Sequence, residues 1–80
     1  MKTASAIKKL EKAGFAVKQM GNAITAKLPT AERLVEFFDQ RGEVVCLGFR
    51  HQNDHSDTMS DYCATIFCDS MAQAMRLASK

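Results

Sequence analysis

The stretch Glu43-Val-Val-Cys-Leu-Gly-Phe-Arg-His51 constrains the fold more than any other part of the chain. It follows Asp39-Gln-Arg-Gly42, a turn-forming composition, and it is rich in β-branched and aromatic residues that fit a pleated surface. With the period of two of a strand, Val45, Leu47 and Phe49 fall on one face, and Val44, Cys46, Gly48 and Arg50 on the other. Apolar residues on both faces predict a strand inside a sheet, with the remaining elements packed around it.

The N-terminal part reads helix, strand, strand. Thr3 or Ser5 is placed to cap a helix whose apolar stripe is Ala6, Ile7, Leu10 and Ala13, and Gly14 is placed to end it. Phe15–Met20 and Ala23–Leu28 then alternate as two antiparallel strands joined by the turn Gly21-Asn22. Residues 29–41 admit two readings. A helix capped by Thr30 would align Ala31, Leu34, Val35 and Phe38; a strand over Leu34–Asp39 would enter a type I turn closed by a left-handed Gly42. The strand is favoured, because it completes a hairpin with the stretch that follows.

Gln52–Asp61 is polar and aperiodic, which predicts a long exposed loop. Tyr62–Cys68 reads as a further strand. Asp69-Ser70 then opens a last helix, with Ser70 and Gln73 spaced as a capping box and Met71, Ala74, Met75 and Ala78 as its apolar face. The predicted fold class is α+β: a two-layer α-β-β-β-β-β-α domain over residues 1–80, with an antiparallel sheet and both helices on one face. The other face would carry some of Val44, Cys46, Phe37 or Phe38, and Tyr62 or Ile66. Apolar side chains there call for a partner or a second copy, so a homodimer is expected.

Apolar content of 46% and charged content of 25% are those of a globular domain. No apolar run approaches the roughly 18–20 residues of a membrane span, and the N-terminus lacks the apolar middle of a signal peptide. Cytoplasmic residence without membrane contact is the expectation. Cys46, Cys63 and Cys68 form no Cys-x-x-Cys pair and sit in apolar strand-like runs. They are expected as reduced core thiols rather than a disulfide framework or structural zinc.

Charge is unevenly distributed. Residues 1–28 hold six lysines against Glu11, while residues 43–80 hold five acidic side chains against three basic ones. Lys8, Lys9 and Lys12 on the first helix, with Lys18 and Lys27 on adjacent strands, are the candidate contacts to nucleic-acid phosphates. Asp54, Asp57 and Asp61, with Tyr62, are the candidate contacts to a basic host protein. His51, Asp54, His55, Asp57 and Asp61 contain ligand types that suit a divalent ion, but their spacing matches no zinc or calcium motif. A solvated loop is the favoured reading, and no cofactor is expected. No nucleophile elbow or phosphate-binding glycine loop is present, and Ser56, Thr58 and Ser60 near the histidines lack an orienting context.

Ser5-Ala-Ile-Lys-Lys-Leu-Glu-Lys-Ala-Gly-Phe15, with Val17 and the Gly21-Asn22 turn, resembles the opening of HicA-type toxins. The resemblance covers about a quarter of the chain and implies a fold like that of double-stranded-RNA-binding domains, with a helix, an antiparallel sheet and a helix. That family places a histidine after its turn, where this chain has Ala23, so the resemblance does not carry the RNA-cleaving activity. Asn53-Asp-His-Ser-Asp57, Ser60-Asp-Tyr62 and Phe67-Cys-Asp69 look like stretches of short phage and mobile-element proteins of no known activity.

The expected function is a small non-enzymatic binding module that occupies a surface of a nucleic acid or a host protein. An inhibitor of anti-CRISPR or anti-restriction type is one form of this. The alternatives are a homodimeric assembly protein and a metal-dependent nuclease using the His51–Asp61 loop.

Overall fold

The structure is a computed structural model, and it describes residues 1–52 and 65–80. Helix α1 (Thr3–Lys12) is followed by strands β1 (Ala16–Met20), β2 (Ala23–Lys27), β3 (Arg33–Gln40), β4 (Glu43–His51) and β5 (Ile66–Phe67), then helix α2 (Met71–Ala78). The strands form one antiparallel sheet in the order β1-β2-β3-β4-β5. Both helices pack on the same face, in a single core that joins Ala6 and Leu10 to Ile24, Val35, Phe37 and Phe49 and to Met71, Ala74 and Ala78. The α+β fold expected from the sequence is the fold observed.

Local chemistry explains most of the boundaries. Gly14, at φ 92°, closes α1: its N–H donates to the carbonyl of Glu11 and that of Phe15 to the carbonyl of Leu10. This is a Schellman motif, with Phe15 and Leu10 both buried beneath it. Gly21, at φ 60°, with Asn22 outside the left-handed region, makes the β1–β2 connection a type II′ turn, which suits the twist of the strands. Residues 33–40 are strand, not helix. The turn after them differs from expectation: Arg41 (φ 53°) and Gly42 (φ 84°) are both left-handed, which is type I′ rather than type I.

The caps are asymmetric. At α2, Ser70 accepts from the N–H of Gln73 at 3.2 Å, while the Gln73 side chain accepts from the N–H of Asp69 at 2.9 Å, one residue earlier than a regular capping box. At α1 neither Thr3 nor Ser5 caps; Lys2 holds the cap position with no side-chain bond. Thr3 is inside the helix and buried, and its hydroxyl donates to Asp39 on β3. Arg33, at the other end of the same row, donates from Nη1 to the carbonyl of Leu77 at 3.2 Å. One face of β3 therefore sets a carboxylate against the start of α1 and a guanidinium against the end of α2, the signs each helix dipole prefers.

The central strand breaks the predicted alternation. Glu36 pairs with Gly48 and Phe38 with Val45, so Phe37 alone stands opposite both Cys46 and Leu47. This is a β-bulge, and Cys46 takes a left-handed φ of 54° that is usually left to glycine. The bulge reverses the phase of the strand. Val44 joins Leu47 against the core, and Val45 moves to the opposite face beside Phe38.

Several expectations are corrected as a result. Val44 and Phe37 belong to the helix-covered side, Phe37 fully buried. Cys46 is exposed rather than a core thiol, Cys68 is half-buried, and both are free. Ala13 lies outside the buried stripe of α1. Ile66 and Phe67 are 58% and 66% exposed on the short edge strand β5. Of the strand expected over Tyr62–Cys68, the structure shows Ile66–Phe67; Tyr62, Cys63, Ala64 and the expected 52–61 loop beyond Gln52 lie outside the described residues.

Candidate functional site

The sheet face away from the helices is built by alternate residues of each strand. Strand pairing sets Lys18, Thr25, Glu36, Gly48 and Phe67 in one row. Met20, Ala23, Phe38 and Val45 form a second row on one side. Ala16 and Lys27 lie on the other side, with Leu34 and Arg50. The face is therefore mixed; of the apolar residues expected there, Phe38 is on it, whereas Val44 and Phe37 are not.

Its β3–β4 half is closed. Arg50 sets Nε 3.3 Å from Oε1 of Glu36 and Nη2 3.4 Å from Oε2, and Thr65 donates to the same carboxylate at 3.0 Å. Leu34 and Gly48 are buried there too. Thr65 and Ile66 pass directly over Gly48: a Cβ at that position would meet the Ile66 carbonyl oxygen at 2.5 Å. Glycine is required here by close approach of backbone, not by its dihedral angles.

Among the described residues, the β1–β2 half is open. Lys18 and Lys27 flank a groove of about 320 Å³ floored by Ala16, Thr25 and Leu34 and bounded by Pro29 and Gln52. Lys27 Nζ is steadied by the carbonyls of Leu28 at 3.0 Å and Pro29 at 3.4 Å. Among the described residues, Glu36 is the acidic side chain on this face, and its carboxylate is engaged by Arg50 and Thr65. Two ammonium groups thus share a concave surface whose acidic neighbour is already paired. That arrangement attracts an anion.

The five candidate lysines do not act on one surface. Lys18 and Lys27 are on the open sheet face, whereas Lys8, Lys9 and Lys12 are exposed on α1, in the opposite layer. Asp54, His55, Asp57, Asp61 and Tyr62 lie outside the described residues. His51 ends β4, half-exposed, with Nε2 3.6 Å from Glu32. Among the described residues, no three His, Cys, Asp or Glu side chains converge as a metal site. Sequence reasoning missed the Glu36–Arg50 pair and the groove. The signal was available in the alternation of Lys18, Thr25 and Glu36, but only the strand register shows that these residues are neighbours.

No family model matches the chain, nor does any curated protein or solved structure. No helix among the described residues is long and apolar enough to cross a membrane.

Proposed function

We propose that this chain is a non-enzymatic binding module that uses the open β1–β2 end of its sheet to hold a nucleic-acid strand by its phosphates. The observation that supports the reading is the groove between Lys18 and Lys27, beside a glutamate already neutralised by Arg50. Phosphates brought there meet two ammonium groups and the hydroxyl of Thr25, and among the described residues they face no free carboxylate. The helix lysines serve as a separate, weaker attractive surface on the other layer. The reading places the protein in the cytoplasm, where an inhibitor of phage or mobile-element origin would compete for nucleic acid with a host enzyme.

Fluorescence anisotropy with labelled single-stranded and duplex oligonucleotides, at 50 and 200 mM salt, tests it. Binding should weaken steeply with salt. In Lys18→Ala/Lys27→Ala the log–log salt slope should fall by about 1.4–1.8, the loss of two phosphate contacts. Lys8→Ala/Lys9→Ala/Lys12→Ala should change it less. Absence of binding at low salt, or binding indifferent to Lys18 and Lys27, overturns the reading. Capture of a nuclease-resistant protein partner in place of nucleic acid also overturns it.

A further inference from the structure

A second concave site lies on the far edge of β4, away from the lysine groove. At the start of this edge Met1 pairs with β4, the N–H of Val44 donating to its carbonyl at 2.9 Å. Farther along, the N–H of Cys68 donates to the carbonyl of Leu47, also at 2.9 Å. Between these two contacts the edge opens as a groove of about 450 Å³. Four of the residues that line it carry sulfur: Met1, Cys46, Cys68 and Met71, the last with its side chain buried.

The two thiols are close by construction. Cys68 stands opposite Leu47, the residue after Cys46. One strand spacing across and one residue along separate their Cα atoms by roughly 6 Å. The bulge contributes as well, since it puts Cys46 and Leu47 together opposite Phe37 instead of on alternate faces.

We propose that Cys46 and Cys68 are the thiolate pair of a binding site for a soft monovalent cation of the copper(I) class, with the thioethers of Met1 and Met71 as neighbouring donors. Each thiol releases one proton and forms one sulfur–metal bond, and the metal keeps its oxidation state. The donor set selects the ion. Zinc needs four nitrogen, oxygen or thiolate ligands, and no third His, Cys, Asp or Glu converges on the pair among the described residues. Thiolates supplemented by thioethers favour copper(I).

The test is an anaerobic titration of the full chain with copper(I) against a chromophoric chelator, following sulfur-to-copper charge-transfer absorption in the ultraviolet. One equivalent should bind. Cys46→Ser and Cys68→Ser, each checked for folding by circular dichroism, should weaken uptake by more than the roughly 10–100-fold that loss of an outer-shell partner costs. Cys63→Ser and Lys18→Ala/Lys27→Ala should bind as the parent does, which separates this site from the lysine groove. Uptake unchanged in Cys46→Ser, uptake that requires Cys63, or tighter retention of zinc than of copper(I) overturns the assignment.

Discussion

Arg50 and Glu36 face each other across β3 and β4 on the sheet face opposite α1 and α2, yet their side chains are only 12% and 14% exposed. Both guanidinium contacts are long, 3.3 and 3.4 Å, and Thr65 adds a third donor to the carboxylate. Truncating one partner of a pair this well enclosed strands a charge. Glu36→Ala should therefore destabilise the domain by an amount near the low end of the roughly 3–5 kcal/mol for broken buried pairs. Replacing Glu36 and Arg50 together by methionine should cost clearly less. Urea denaturation of both variants checks this, and a single variant as stable as the parent would refute it.

Gly48 carries a steric prediction. Because its absent Cβ would sit 2.5 Å from the Ile66 carbonyl oxygen and 2.8 Å from Thr65 Cγ2, Gly48→Ala must push β5 away from β4. The expected loss is about 1–3 kcal/mol, as for overpacking elsewhere. Amide exchange should quicken at Cys68, whose N–H bonds Leu47, before it does in β2 and β3. Uniform quickening would argue against a local displacement.

Arg41 sits at φ 53° in a turn that prefers asparagine or glycine. Arg41→Asn gives the Asn-Gly pair of a type I′ turn and should stabilise by up to about 1 kcal/mol. Tm would then rise by about 4–8 °C for a domain of this size, which a thermal melt reads directly.

Glu43 binds both the Lys2 ammonium at 2.8 Å and the N-terminal amine at 3.6 Å. The hydrogen bond and charge of Lys2 hold the Glu43 carboxyl below its ordinary 4.5, and the same contact raises Lys2 above 10.5. A lowered carboxylate stabilises the fold above pH 4.5, and that contribution fades as pH falls through the lower folded value. A raised lysine stabilises below 10.5 and loses its contribution as pH rises through the higher folded value. Lys2 is exposed and Glu43 about half exposed, so solvent screens the pair and the effect is small. Lys2→Ala should be less stable than the parent at neutral pH, and the gap should close at strongly acid and strongly alkaline pH. A pH-independent gap would assign the difference to packing.

The elements themselves were legible because their signals are local. A glycine that ends α1, a Gly21-Asn22 turn, Ser70 with Gln73, and the β-rich run of β4 act within a few residues of themselves, and the order of β1 to β4 follows from short connections. What each residue faces was less legible. Period-two reading assumes an unbroken register, and the bulge opposite Phe37 exchanges Val44 and Val45 between faces, an effect visible only once β3 is alongside.

The candidate sites depend still more on tertiary structure. The chain alone announced five lysines, but it is the two-layer packing that separates Lys8, Lys9 and Lys12 from Lys18 and Lys27. Thr3 lost its capping role because Asp39, 36 residues away, offered a buried acceptor. Sequence by itself determined which stretches form helices and strands over most of the chain, since those choices are made largely by neighbouring backbone groups. Only the folded arrangement decided which charges are paired, which thiols share a groove and which face stays open, because these depend on residues brought together from distant parts of the chain.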